Sequence, residues 1–301
     1  MNKINENLDP NWITGFTDAE GCFYINIYKS KNSKNNWGVC ASFGIMLHIK
    51  DKDILLNIKS FFNGIGNIHY SKKVCVYRVN KLQDIINLIL PHFDKYSLIT
   101  KKQNDFLLFK EIVYLMLNKE HLNKKGLQKI LNLKASLNKG ISESLSYYFP
   151  DIIKVKKPNV NTTKNIDNNW LAGFFSGEGC FKIDISKSNT CKTGYAIRLC
   201  ISIVQHTKDE ILMNNIKNTL GLGSIYKYSY ENTVCLQIFK FEDIYFKIIP
   251  LFKKYNIQGV KALNFQDFCE AAELINNKIH ITTEGLEKIR LIKFRMNTNR
   301  H

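Results

Sequence analysis

Two glutamates lie in matching surroundings, WITGFTDAEG at Trp12–Gly21 and WLAGFFSGEG at Trp170–Gly179. Each stretch has a helical period that runs up to an acid followed by glycine, Glu20-Gly21 and Glu178-Gly179. A carboxylate in a last helical turn opposes the helix dipole, at a cost of about 0.3–1 kcal/mol. Paired helices would also bring the two carboxylates near each other, which calls for a cation. Two carboxylates at a pseudo-twofold axis in a basic chain suit a divalent-metal site for phosphodiester hydrolysis. There a cation polarises the phosphoryl oxygen, activates water and stabilises the leaving 3′ oxygen. With oxygen-only ligation, Mg²⁺ is the natural ion. Asp18 is a weaker candidate, because its counterpart is Ser176; a structural or supporting role suits it better.

The helices carrying these acids have small residues at i, i+4: Gly15 and Ala19 in one, Gly173 and Gly177 in the other. Each pair makes a flat stripe that lets two backbones approach closely. The large neighbours Trp12, Phe16, Trp170 and Phe174 are then expected to turn into each half's own core.

The whole chain repeats. Trp12 and Trp170 are 158 apart (170 − 12), as are His48 and His206, Lys50 and Lys208, and Asp51 and Asp209. Gly64 and Gly66 return as Gly221 and Gly223, and Pro91-x-Phe93-x-Lys95-Tyr96 returns as Pro250-x-Phe252-x-Lys254-Tyr255. An offset that drifts only between 157 and 160 over nearly the full length means two copies of one fold. We place an amino-terminal half-domain at 1–153, a polar linker at 154–169 and a carboxy-terminal half-domain at 170–301. In each copy a helix leads to two alternating strands, a helix, two more strands and further helices. In the first copy these are a helix at Pro10–Glu20, strands at Cys22–Lys29 and Trp37–His48, a helix at Lys50–Phe62, and strands near Ile68–Tyr70 and Val74–Val79. Helices follow at Leu82–Phe93, Asp105–Asn118 and Gly126–Asn138. Within Trp37–His48, Val39, Ala41, Phe43, Ile45 and Leu47 should face inward, and Cys40, Ser42 and Met46 outward. The fold class is α+β, an αββαββα half-domain used twice.

With 301 residues, 45% of them hydrophobic, the chain can bury a real core. No apolar run reaches the roughly 20 residues of a membrane span, so no membrane partner is expected. The opening MNKINENLDP resembles neither a secretory signal nor a transit peptide. Eight cysteines without CxxC or zinc spacing read as free thiols in a reducing compartment, six of them in strands where buried or half-buried thiols are ordinary. The formal charge of +17 favours a polyanion, although a codon bias toward Asn, Lys and Ile accounts for part of it.

These features together resemble the LAGLIDADG homing endonucleases, in the single-chain form with two motifs. The resemblance rests on WITGFTDAEG and WLAGFFSGEG and extends over essentially the whole chain, through LHIKDKDIL, PHFDKYSLITKKQNDFLLFK and KEHLNKKGLQKI. Those downstream segments are similar to the fungal mitochondrial, intron-encoded branch. The family implies a saddle of antiparallel sheets with the motif helices at the interface between halves. It implies a double-strand DNA break at a long target, made by a monomer with two or three divalent cations, Mg²⁺ among them, shared between half-sites. The metals would be held at Glu20 and Glu178, with Ala19 and Gly177 beside them. Lys102 and Lys261 resemble the lysines near the scissile phosphates, where a cation stabilises transition-state charge; a solvated helix lysine is the alternative. Gln205 sits where the family often has a polar side chain holding water, but its partner here is Leu47, so the two half-sites should be chemically unequal.

The outward strand faces would lie along the duplex. In the first copy they carry Tyr24, Asn26, Tyr28, Ser30, Lys34, Ser42, His69, Lys73 and Arg78. In the second they carry Lys182, Asp184, Ser186, Lys187, Asn189, Arg198, Ser202, Tyr226 and Tyr228. For any single residue ordinary exposure explains as much; the set carries the reading. A strand of about 10 residues at ~3.3 Å each covers about 10 base pairs, so both halves would read about 20. The rival on the same scaffold is an RNA maturase binding intron RNA without cutting. The family also implies a mitochondrial, organelle-encoded protein, which agrees with the absence of a transit peptide.

Overall fold

The structure is a computed structural model that describes residues 8–33, 35–158, 166–228, 231–297 and 300. Helix α1 (Pro10–Glu20) opens on a proline, whose missing N–H would have no partner in a first turn anyway. It runs straight into strand β1 (Gly21–Lys29), where Phe23, Ile25 and Ile27 are buried while Cys22, Tyr24, Asn26 and Tyr28 are exposed. Strand β2 (Trp37–His48) pairs antiparallel with β1, setting Tyr24 opposite Ser42 and Asn26 opposite Cys40. A 3-10 turn leads to α2 (Lys52–Phe61), β3 (Asn67–Tyr70) and β4 (Val74–Val79). The sheet order is β1-β2-β4-β3. Short α3 (Leu82–Asp84), a π turn at Ile85–Ile89 and α4 (Leu90–Lys95) make one helical stretch. Pro91 cannot donate to the carbonyl four residues before it, and the wider turn absorbs that loss. Helices α5 (Lys102–Leu117), α6 (Lys124–Ser136) and α7 (Glu143–Tyr148) follow. No periodicity in the sequence points to α7.

The second copy repeats the plan. Asp167 caps α8 (Asn168–Glu178), accepting from the N–H groups of Asn169 at 2.8 Å and Trp170 at 3.2 Å. Then come β5 (Gly179–Lys187), β6 (Tyr195–His206), α9 (Glu210–Leu220), β7 (Ser224–Tyr228) and β8 (Thr233–Ile238), in sheet order β5-β6-β8-β7. Short α10 (Phe241–Asp243), a second π turn at Ile244–Ile248 and α11 (Ile249–Lys254) precede α12 (Val260–Asn276) and α13 (Thr283–Phe294). The α+β class and the twofold αββαββα order are what the repeat predicts. Among the described residues no helix is long and apolar enough to cross a membrane.

By its contacts the chain divides into two compact units, Met1–Pro10 with Glu20–Thr162 and Asn11–Ala19 with Thr163–His301. Most of α1 therefore packs with the second copy, although it is continuous with β1 of the first. The glycines explain this. A Cβ on Gly15 would overlap the carbonyl oxygen of Trp170, and one on Gly173 that of Trp12, so α1 and α8 touch backbone to backbone. The expectation that Trp12 turns into the first copy's own core is corrected by the same contact. Its indole Nε1 donates to the carbonyl of Asn256 at 3.2 Å, while Trp170 Nε1 donates to Asp18 Oδ2 at 2.8 Å. Asp18 thus has a buried structural partner. Ser176, its shorter counterpart, instead accepts from the Gln258 N–H at 3.0 Å.

Each sheet buries one face under helices. In the first unit the Phe23 ring lies 5.2–5.4 Å from Phe43, Phe93, Phe106 and Phe109. In the second, Phe181 lies 5.2 Å from Phe265 and 5.4 Å from Phe268. Burial of each such ring contributes roughly 2–3 kcal/mol. His92 is packed in the first core against Phe61, Phe62 and Phe93, at 4.7–5.4 Å. Burial pushes its pKa down to about 4. The unfolded chain takes that proton near pH 6.5, so stability is full above that value and falls as pH drops toward 4. At about 1.4 kcal/mol per unit, the loss approaches about 3 kcal/mol. Urea unfolding at pH 7 and at pH 4.5 should show this loss in the wild type and a smaller one in His92→Phe. Equal losses in both would contradict it.

Candidate functional site

Glu20 is the last residue of α1, half-buried, and the alternation of β1 continues from it. Glu20, Tyr24 and Asn26 therefore share one face of the strand. Together with Ser42 and Arg78 they line a groove of about 480 Å³ on the outer side of the first sheet, alongside Cys22, Met46 and Val76. Five of the sequence candidates thus converge. Tyr28 lies exposed at the far end of β1, Ser30 in the following turn, His69 on β3, and Lys73 just before β4. Lys34 falls outside the described residues. Ser42 corrects an expectation: it faces the groove but is only 6% exposed, because a small side chain on an inner strand is shadowed by larger neighbours such as Tyr24. Cys22 and Cys180 depart the other way, as exposed thiols on the outer faces. Lys102 opens α5, half-buried, and its ammonium acts on Cys22, opposing the upward push that burial gives that thiol.

In the second unit Glu178 closes α8 in the same way, half-buried. The carbonyl of the residue before it, Gly177, accepts from Lys261 Nζ in the first turn of α12. Ser176, already bonded to the Gln258 N–H, donates to the Ala172 carbonyl at 2.7 Å and so ties α8 to the segment that delivers Lys261. Among the sheet candidates, Ser186, Lys187, Asn189 and Tyr226 are exposed, Ser202 and Tyr228 half-buried. Lys182 and Asp184 form an ion pair at 2.8 Å, which neutralises that acid. Arg198 lies over the Phe239 ring at 5.8 Å. Gln205 is half-buried opposite Val234; Leu47 holds the equivalent place opposite Cys75.

Several residues escaped the sequence reading. Gln237 stands where the first copy has Arg78: one pairs with Ser202 and Ser224, the other with Gly44 and Asn67. Met46 and Val204 put apolar side chains on the outer faces, 62% and 48% exposed. Asn138 and Asn297, both with positive φ, donate from Nδ2 to the carbonyls of Phe23 at 2.7 Å and Phe181 at 3.1 Å. They fasten the strand just beyond each glutamate. The signal was there, since the two asparagines follow the matching helices α6 and α13 at a spacing of 159 (297 − 138).

Carboxylate and backbone carbonyl oxygens are hard donors, suited to Mg²⁺ or Ca²⁺ rather than to thiophilic ions. Among the described residues no group of three or more His, Cys, Asp or Glu side chains gathers as a metal cluster. Burial, with Asp184 second, pushes the Cys200 thiol up to about 12, which keeps it protonated and inert.

A profile of the LAGLIDADG endonucleases matches residues 13–113 and 171–272, once in each copy. The chain belongs to the LAGLIDADG endonuclease family. Within that family it is 40% identical to probable intron-encoded endonuclease 2 of Neurospora crassa over 294 residues, covering 94% of this chain and 64% of that protein. It is 36% identical to probable intron-encoded endonuclease 3 of the same fungus, covering 97% and 55%. The chain thus spans just over half to under two thirds of the length of these relatives. It is also similar to the I-SmaMI LAGLIDADG homing endonuclease bound to cleaved DNA, with a TM-score of 0.95 and 42% identity, covering 98% of this chain and 99% of that one. The same LAGLIDADG protein has been solved on uncleaved DNA target in the presence of calcium ions.

Proposed function

We propose that this chain is a site-specific DNA endonuclease, acting as a monomer, that makes a double-strand break by metal-dependent phosphodiester hydrolysis. The observation that carries the reading is the twofold placement of a helix-ending glutamate beside the outer face of a sheet. In the first unit that glutamate shares a groove with Asn26, Ser42 and Arg78. Two such faces, each about 10 residues long, account for an asymmetric target of about 20 base pairs. The relatives' names add intron homing, and with it a mitochondrial, organelle-encoded origin. The RNA maturase reading has no comparable support: similar proteins are named probable intron-encoded endonucleases, and similar solved structures are LAGLIDADG endonucleases on DNA.

Glu20 and Glu178, with the carbonyls of Ala19 and Gly177, are the residues that would hold divalent cations, Mg²⁺ first. Cations held there would supply Lewis acidity at the scissile phosphates and lower the pKa of an attacking water. Lys102 and Lys261 offset the charge that builds on the phosphoryl oxygens. The polar strand faces set register along the duplex through phosphate and base-edge contacts. Gln205 orients water on one side, a task Leu47 cannot perform. The two strands should therefore be cut at unequal rates, differing about tenfold, and Leu47→Gln should narrow the gap. A nicking time course with each strand labelled separately checks this; equal wild-type rates would refute it.

The function itself is tested by incubating the protein with a plasmid library of randomised targets and Mg²⁺. Linearised plasmids sharing one long recognised sequence, and none after chelation by EDTA, are the expected result. Tight binding to intron RNA with no linearisation would replace the nuclease with the maturase.

A further inference from the structure

The two copies differ at the ends of their sheets farthest from the glutamates. In the first unit the β1–β2 hairpin is held there by α7, an element with no described counterpart in the second. Lys29, the last residue of β1, donates to Tyr148 Oη at 2.7 Å, and its ammonium lies 4.0 Å from the centre of the same ring. Trp37, across the hairpin from Lys29, packs edge-on against Tyr148 at 5.5 Å and against Phe149 at 4.9 Å. The connecting turn is tied down a second time, by Asn35 Nδ2 donating to the His121 carbonyl at 3.0 Å. Helix α7 is anchored in turn by its Ser142 cap and by buried Leu145. At the matching end of the second copy the Arg290 guanidinium lies over the Tyr195 ring at 4.5 Å.

A hairpin end is where a sheet flexes, since its last pairs have no neighbour beyond them. Fixing it narrows the positions from which its side chains meet a base pair, and discrimination between bases depends on such positional precision. We propose that α7 and Phe149 brace the β1–β2 hairpin, making Tyr148 a specificity-determining positioning residue for the outermost base pairs of one half-site. The inference rests on the endonuclease reading above. Its reach follows from strand geometry. Lys29 is nine residues beyond Glu20, about 30 Å at ~3.3 Å per residue, which is about nine base pairs from the site of cutting.

The test uses the full chain and its selected target. Wild type, Tyr148→Ala and Tyr148→Phe are each profiled for cleavage rate on all single-base changes across the site. In Tyr148→Ala, discrimination should fall about threefold or more at positions about eight to ten base pairs from the centre of one half-site. The inner positions, the opposite half-site and the rate on the unaltered target should hold. Tyr148→Phe, which keeps the ring and loses only the hydroxyl, should fall between the two. An unchanged profile in Tyr148→Ala, or one flattened equally in both half-sites, overturns the brace. Failure of the wild type to cut any target would instead remove the endonuclease reading beneath it. Melting temperatures of all three proteins accompany the profiles, and Tyr148→Phe alone decides the matter if the alanine variant does not fold.

Discussion

Glu20→Gln and Glu178→Gln should each abolish double-strand cleavage while leaving DNA binding intact or slightly tighter. The amide keeps the size and most of the hydrogen bonding of the carboxylate but withdraws its charge, and with it the hold on a divalent cation. Cation assistance to phosphoryl transfer is worth several kcal/mol, so the rate should drop by about 10³-fold or more. Binding should not suffer, because removing a negative charge near phosphates reduces repulsion. The measurement is a single-turnover cleavage assay at saturating protein, beside fluorescence anisotropy on the same duplex. A variant that binds normally and still cuts within tenfold of wild type would show that the glutamate does not serve the chemistry.

The second large effect is structural. Gly15→Ala and Gly173→Ala each place a methyl group on a backbone carbonyl of the other motif helix, and no side-chain rotation relieves a backbone overlap. The helices must separate, breaking the packing around Trp12 and the bond from Trp170 to Asp18. Overpacking of this kind costs about 3 kcal/mol or more, a fall in Tm of about 5 °C or more in a chain of this size. Ala19→Gly, on the same stripe, creates no overlap and should cost only about 1 kcal/mol of helix propensity. Scanning calorimetry of the three variants separates the cases. Glycine replacements as mild as Ala19→Gly would mean that α1 and α8 do not touch as described.

What the sequence disclosed follows from which physical signals are periodic. Phe23, Ile25 and Ile27 alternate with polar neighbours, so β1 and its buried face were legible from period alone. The paired Glu-Gly endings were legible because they recur at a fixed spacing and are locally unfavourable. Helix α1 was placed correctly along the chain, and its small-residue stripe pointed to close approach with α8, which Gly15 against the Trp170 carbonyl and Gly173 against the Trp12 carbonyl bear out; its pattern did not show that Trp12 leaves the first copy's core for the second. The π turns before Pro91 and Pro250 keep a helical hydrophobic period, so they read as ordinary helix. Helix α7 is only six residues long and anchored by scattered contacts, too short for a period to show. At the sheet faces, chemistry type suggested candidates, but only the fold could show that Lys182 is taken up by Asp184 and that Ser42 lies at the bottom of its groove.

The most direct test is a crystal structure of the protein on its target DNA with Mn²⁺ in place of Mg²⁺, located by anomalous scattering. Carboxylate oxygens of both Glu20 and Glu178 should lie about 2.0–2.4 Å from cations that also touch the scissile phosphates. Cations bound elsewhere, or glutamates separated by far more than the roughly 4 Å span of a two-metal site, would contradict the proposed chemistry.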